Sequence, residues 1–304
     1  MKTLTLLRIS LASLAYLICG SAWAFGAAGH EVICEIAYQT ASPKTKQAID
    51  SIMSQERNPK FKTFSKSCVW PDYLGVLQKS RKKDHYVNVP RSWTHIEKLE
   101  CPEAARCLFT GIKQDVDVLR SNQTNIEDKL VALKFLGHWI GDLHQPLHIS
   151  FSDDRGGNVV LLAKGFGCDK NLHSVWDSCI VEDLMDSMID TTDKDKRKEF
   201  ALALIKSVDS EEAKYDPSNV QLLAWANESL SIARMPEVNY CIYDDELKLC
   251  KYSESSEQYV PGQERVLNLT SEYEDEFQDI VKQRLLAGGA RLALLLNSIF
   301  DPSY

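Results

Sequence analysis

The chain has 304 residues, 44% of them hydrophobic and 26% charged, with 14 Gly and 10 Pro. This composition excludes a disordered tail and suits one large domain or two small ones. Lys and Arg number 35 against 43 Asp and Glu, a net charge of −8, which excludes general electrostatic attraction to nucleic acid or an anionic membrane. A polyanionic substrate would need a local positive centre.

Residues Met1 to Ala24 carry Lys2 and Arg8, an apolar run from Ile9 to Cys19, and then Ala22-Trp23-Ala24. Charged start, apolar core and A-x-A site together read as a secretory signal peptide over 1–24. The apolar run is too short for a confident membrane span, and no other stretch approaches about 18 apolar residues. Cleavage between Ala24 and Phe25 predicts a secreted or periplasmic protein of net charge −10, because Lys2 and Arg8 leave with the leader.

Removing Cys19 leaves Cys34, Cys68, Cys101, Cys107, Cys168, Cys179, Cys241 and Cys250. An even count in an exported chain reads as a disulfide framework, although eight cysteines allow 105 connectivities. Spacing suggests the local pairs Cys101–Cys107, Cys168–Cys179 and Cys241–Cys250, which leaves Cys34 for Cys68. No C-x-x-C pattern is present, so the cysteines read as structural rather than as metal thiolates.

The mature chain is predicted to be mainly helical. Ser42-Pro43 is a capping residue followed by proline at the first helical position, opening a helix to about Ser54. Leu108, Ile112, Val116 and Leu119 recur at helical spacing, as do Tyr273, Phe277, Ile280, Leu285, Leu292 and Leu296 near the end. Strand signal is confined to Val159–Ala163 and the region Tyr240 to Tyr252, and long loops are expected near Lys60–Arg91 and Asp153–Lys170. With no repeat, low-complexity linker or composition break, residues 25–304 read as one domain. The charged runs Lys194–Glu199 and Glu272–Glu276 read as solvated helix faces. Sequons stand at Asn122, Asn227 and Asn268.

Leu130 to Leu143 is apolar almost all round, so its helix should be buried. Its polar exceptions Lys134, His138 and Asp142 are four residues apart and share one face. Alone, the His–Asp pair reads as a hydrogen bond joining two helices, since an unpaired buried carboxylate is very costly. Gln145-Pro146-Leu147-His148 then breaks the helix and supplies another imidazole, and His173 and Asp177 repeat the H-x-x-x-D spacing. Imidazole nitrogen and carboxylate oxygen are zinc ligands, and i, i+4 spacing lets one helix present two of them to one ion. Two such pairs in a chain with seven histidines favour a metal site over packing alone.

At this point the chain resembles a known family, the zinc-dependent single-strand nucleases of the S1/P1 type, as a bacterial-type secreted member. The resemblance runs from Phe25 to about Asn297. It rests on Phe25-Gly26-Ala27-Ala28-Gly29-His30, Trp70-Pro71-Asp72, Asp84-His85-Tyr86, the His138–His148 block, Gly156-Gly157-Asn158, the His173–Asp177 block and Trp225-Ala226-Asn227-Glu228-Ser229. It implies a single compact multi-helix domain of the phospholipase C and single-strand nuclease type, with short β-hairpins and long loops.

The resemblance also implies three zinc ions. Asp72, His85, His138 and Asp142 would hold the first, and His148, His173 and Asp177 the second. A third would share Asp142 and be completed by His30 and the main-chain amine and carbonyl of Phe25, where the family usually has Trp. That amine exists only after leader cleavage, and its ordinary pKa of about 7.7–8.0 lets a metal displace its proton. Catalysis is assigned to Asp72 and Asp142 as metal-bridging carboxylates, with water activated by the ions as nucleophile. Three Zn²⁺ and three carboxylates leave an inner charge of about +3, the positive centre that the acidic composition demands.

The implied activity is hydrolysis of single-stranded DNA and RNA to 5′-phosphorylated nucleotides, with 3′-nucleotidase activity; a recessed cluster admits single strands more readily than a duplex. No stable protein partner is expected. Many relatives carry a phosphate-contacting arginine three residues after the first-ion aspartate, and here that position is Gly75, with Lys79, Arg81, Lys82 and Lys83 as candidate substitutes. Tyr86, Asn88, Arg155 and Asn158 match the family's base-binding region, where Arg155 and Asn88 replace a valine and an aspartate. His95 and His144 have no assigned ligand role, although His144 lies one turn from His148. The rival readings are a zinc-dependent phospholipase C and a metal-stabilised binding protein that has lost catalysis.

Overall fold

Local sequence chemistry starts and stops the helices. In the computed structural model, which describes residues 25–102, 104–164, 170–191, 195–208 and 221–303 and the side chains of all these except 75–79, α1 spans Ala27–Thr40 and α2 spans Pro43–Met53. The Ser42 hydroxyl accepts from the Thr45 N–H at 3.2 Å, the cap that the Ser-Pro pair predicts. Short helices α3 (Phe64–Ser67) and α4 (Trp70–Tyr73) follow, then a 3₁₀ stretch over Gly75–His85 and strand β1 (Val87–Val89). The expected long loop at Lys60–Arg91 is therefore mostly short helical turns. Four-residue helices carry too little periodicity to be read from sequence.

Helix α5 (Leu108–Arg120) packs against α6 (Ile126–His144). Asn125 caps α6 by accepting from the Asp128 N–H at 2.8 Å, and Glu127 and Asp128 in its first turn complement the positive end of the helix dipole. Every α6 residue from Ala132 to His144 is buried, as its nearly all-round apolarity predicts. Beyond Gln145 a 3₁₀ turn, Pro146–His148, leads into β2 (Ile149–Phe151). Strand β2 pairs in parallel with β1, in the register Val87↔Ile149, Asn88↔Ser150 and Val89↔Phe151.

The Val159–Ala163 signal shortens to β3 (Leu161–Leu162), which pairs with β6 (Val266–Leu267). Helix α7 (Leu172–Ser174) runs into a π-helical turn at Val175–Cys179 and then α8 (Ile180–Met188). Helices α9 (Lys196–Lys206) and α10 (Leu222–Ala233) precede an antiparallel hairpin of β4 (Ile242–Asp244) and β5 (Leu249–Lys251). The last helix, α11 (Ser271–Phe300), packs along α1, α6 and α8. One continuous apolar core joins these elements, with Trp139, Trp176, Phe135 and Phe277 among its buried rings. The Trp139 and Trp176 indoles donate to Asp115 at 2.7 Å and Tyr273 at 3.0 Å, so neither buried N–H is left unpaired.

Disulfides join Cys34 to Cys68, Cys101 to Cys107, and Cys241 to Cys250, as spacing suggests. Cys179 is disulfide-bonded, while its expected partner Cys168 lies outside the described residues, as does the expected leader 1–24. Among the described residues no helix is long and apolar enough to cross a membrane.

Candidate metal centre

The centre is built where α1, α4 and α6 meet the end of the 3₁₀ stretch. His30 sits in the first turn of α1 and His138 and Asp142 lie one turn apart on α6, all fully buried. His30 Nε2 lies 3.3 Å from Asp142 Oδ1, and its ring stacks on His138 with centroids 3.8 Å apart. Gly141 makes this approach possible, because a Cβ there would run into His30. His138 Nε2 is 3.4 Å from Asp72 Oδ1 and 3.1 Å from His85 Nδ1, and His85 Nδ1 is 3.2 Å from Asp142 Oδ2. Asp142 thus turns one carboxylate oxygen to His30 and the other to His85 and His138.

A second group forms where the chain leaves α6. His173 Nε2 is 3.3 Å from Asp177 Oδ2, and His148 Nε2 is 3.7 Å from Asp177 Oδ1. The i, i+4 pair predicted on a helix sits instead across the junction of α7 with the π turn; such turns recur at functional sites. Phe25 is buried beside this group: the next residue, Gly26, donates its N–H to the Asp177 carbonyl at 2.6 Å.

Backbone carbonyls fix three of the imidazoles. The Nδ1–H of His138 donates to the Cys68 carbonyl at 2.7 Å, that of His148 to the His85 carbonyl at 2.6 Å, and that of His173 to the Gly156 carbonyl at 2.7 Å. With Nδ1 protonated, each Nε2 presents its lone pair to the centre, the arrangement that metal-binding histidines adopt. The Cys34–Cys68 disulfide lies directly beneath: Cys34 is one turn beyond His30, and Gly137 on α6 makes room for both sulfurs, which a Cβ there would run into.

Burial and then neighbouring imidazoles hold His30 and His85 well below the ordinary histidine pKa, and burial lowers His148 to about 4. Burial, followed by Asp72 and Asp177, pushes Asp142 well above the carboxylate range. Burial thus favours the neutral forms of His30, His85, His148 and His173 beside acidic groups that repel one another, and a cation relieves that repulsion. Both ring nitrogens of His30, both oxygens of Asp142, Asp72 Oδ2, His148 Nε2 and His173 Nε2 are buried with no hydrogen-bond partner. Three triads have ligand atoms within 4.8 Å of one another: His30–His138–Asp142, Asp72–His85–His138 and His148–His173–Asp177. Orphaned nitrogen and oxygen donors in this density fit divalent cations.

A sequence profile described as S1/P1 Nuclease matches residues 25–301. The chain belongs to the S1/P1 nuclease family. Endonuclease 2 of Arabidopsis thaliana is 28% identical over 293 residues, covering 91% of this chain and 90% of that protein. Nuclease S1 of Aspergillus oryzae is 29% identical over 184 residues, 59% of this chain and 61% of that protein. Nuclease P1 of Penicillium citrinum is 23% identical over 167 residues, 53% of this chain and 60% of that protein.

The expected substrate residues lie on two segments, one at β1 and one on the loop after β2. Tyr86 is half-buried between His85 and β1, and Asn88 lies on β1 opposite Ser150. Arg155 is exposed on the loop after β2 with φ +58°. Its charge is felt weakly by both Tyr86 and His173. The Asn158 amide donates to the Arg155 carbonyl at 2.8 Å, so this side chain shapes the turn.

Several sequence readings change. Arg81 is not available in place of the arginine missing at Gly75: it donates to Asp84 at 2.9 Å and to Asp115 at 2.7 Å and 2.9 Å. Lys82 and Lys83 are exposed, and the Lys79 side chain lies outside the described residues. Lys134 shares a face with His138 but pairs with Glu56. His144 is engaged apart from the candidate ligands, with Nδ1 donating to the Ile140 carbonyl at 2.7 Å and Nε2 accepting from Arg291 at 3.0 Å. His95 is exposed beside Thr94 and Glu97. The Asn227 amide is tied to the main chain of Ile96 and Leu223 at 2.7–3.0 Å, which makes that sequon structural. Sequence reasoning passed over Gln145, whose amide joins Asp177 to the His148 turn; its only signal is its place between two ligand blocks.

Proposed function

We propose that residues 25–304 form one secreted or periplasmic zinc-dependent nuclease domain, released from the leader 1–24 by cleavage before Phe25. It hydrolyses single-stranded DNA and RNA to 5′-phosphorylated nucleotides and removes 3′-phosphates from nucleotides. S1/P1 membership supports the coarser statement, a nuclease that hydrolyses phosphodiester bonds of nucleic acids. The observation that carries the finer reading is the convergence of buried, unpartnered His and Asp atoms on one small region.

Asp72, His85, His138 and Asp142 would hold one ion, and His148, His173 and Asp177 another. His30, Asp142 and the Phe25 main chain would hold a third. Bound Zn²⁺ supplies Lewis acidity toward phosphate and water activated near neutral pH. The protein's own part is positional. Three carbonyls fix imidazole tautomers, Asp142 spans neighbouring ligands, and His30, His138, Asp142, His148, His173 and Asp177 are buried from bulk water, with Asp72 and His85 part-exposed. Tyr86 offers a stacking face for a base and Asn88 an amide for its edge. Arg155 brings a cation from the loop after β2, on a residue held in a left-handed conformation that costs about 1–2 kcal/mol. Strain of that kind concentrates at functional sites.

The deciding experiment gives the mature zinc-loaded protein single-stranded DNA, duplex DNA, a 3′-nucleotide and phosphatidylcholine, with and without a chelator. Hydrolysis of the single strand and the 3′-nucleotide, abolished by chelation and restored by zinc, is expected. Activity on lipid alone would identify a phospholipase C. No activity on any substrate would leave a metal-stabilised binding protein.

A further inference from the structure

Gln145 belongs to neither the proposed ligand set nor the expected substrate residues, yet its polar groups are committed to residues that carry ligands. Its N–H donates to the Asp142 carbonyl at 3.2 Å, and its carbonyl accepts from the His148 N–H at 3.1 Å. Its side-chain Oε1 accepts from the Leu147 N–H, and Nε2 donates to Asp177 Oδ1. The side chain is fully buried. Because Leu147 can only donate, the amide orientation is set: oxygen faces the turn, and the NH₂ group faces the carboxylate.

The first of these side-chain bonds is an ordinary cap of the 3₁₀ turn Pro146–His148. The second has no capping role. It spans 32 residues of sequence to hold one oxygen of Asp177, while Asp177 Oδ2 faces His173 Nε2. One residue therefore links, through its side-chain amide, the turn that presents His148 and the carboxylate of Asp177, and, through its main-chain N–H, the end of the helix that carries Asp142.

We propose that Gln145 is a positioning residue that holds His148 and Asp177 in register with Asp142, so that occupancy of the second metal position depends on it. The inference rests on the reading of His148, His173 and Asp177 as ligands of one ion. Partners of this kind, one shell out from the metal, typically govern affinity by about 10–100-fold.

Two variants test it in the mature zinc-loaded protein, by stepwise zinc release to a competing chelator followed with a zinc-sensitive dye. Gln145→Met keeps the length and removes both side-chain bonds. Gln145→Asn retains a capping amide for Leu147 but is too short to reach Asp177. Both should release one zinc equivalent at about 10–100-fold lower chelator strength, with the remaining equivalents released as in the wild type. If capping were the whole role, Asn would restore wild-type release, and that result overturns the proposal. Equal weakening of every equivalent also overturns it. Should Met prevent folding, the Asn result decides alone. Wild-type protein that holds no zinc would remove the metal reading itself, an outcome visible before either variant is measured.

Discussion

Gly141→Ala should disable the centre while leaving the helix that carries it intact. A Cβ at 141 would meet His30 Nδ1 and lie 2.7 Å from His30 Cε1. Carbon contacts settle at about 3.5–4.0 Å, so the ring must withdraw by roughly 0.8 Å or more. It has little freedom to do so: it is fully buried and stacked on His138 at 3.8 Å. Zinc–nitrogen bonds of about 2.0–2.1 Å tolerate shifts of only about 0.2 Å, so the withdrawal removes His30 as a ligand. For stability the effects oppose one another. Overpacking costs about 1–3 kcal/mol, while replacing a mid-helix glycine by alanine returns about 1 kcal/mol. Net destabilisation is therefore about 0–2 kcal/mol, small enough for the variant to fold. Elemental analysis of dialysed mature protein should find about one zinc fewer than in the wild type, with a marked loss of single-strand hydrolysis. A variant with full zinc content and wild-type rates would refute the assignment of His30 as a ligand.

Tyr86→Ala should raise KM for a single strand by about 5–150-fold, the equivalent of about 1–3 kcal/mol of base stacking; an unchanged KM would exclude the ring from base binding. Arg155→Ala should flatten the plot of log KM against log salt by about 0.7, the share of one phosphate contact on a single strand. A parallel line at higher KM would mean that Arg155 acts without neutralising phosphate. Uncleaved precursor should hold less zinc than mature protein and hydrolyse single strands poorly, because the Phe25 amine is still acylated; full activity before cleavage would exclude the amine as a ligand. His144 is held well below the ordinary histidine pKa by burial, then by Arg284 and Arg291. It stays neutral when folded but takes a proton when unfolded below about pH 6.5, so stability falls on acidification by about 1.4 kcal/mol per pH unit for this group. Denaturant melts between pH 7 and 5 should show a shallower decline for His144→Gln, and identical slopes would contradict the argument.

The candidate ligand residues were legible as a cluster because metal chemistry is written into side-chain identity and because i, i+4 spacing brings such pairs together. Helices α5, α6 and α11 were legible for a related reason: each is long enough to show its period. What escaped was partner choice. Lys134 lies in line with His138 and Asp142, yet Glu56, far back in the chain, takes its ammonium. Arg81 looks like a free cation in a basic loop, but Asp84 and Asp115 take its guanidinium, which lies 4.1 Å from the Phe135 ring. Gln145 read only as a helix stop before proline, since nothing local points to Asp177. The π turn around Asp177 was equally hidden, because one extra residue per turn leaves no mark in a four-residue spacing.

The Cys34–Cys68 bridge lies under one side of the centre, with Cys34 one turn from His30 and the Cys68 carbonyl accepting from His138. Because the Cys68 carbonyl also orients His138, reduction of this bridge is expected to loosen the imidazole along with the thiols. Recombinant chain accumulated in a reducing cytosol is therefore expected to be abundant and helical, yet of low specific activity. The yield of active molecules would follow the fraction carrying this one bridge rather than the fraction folded.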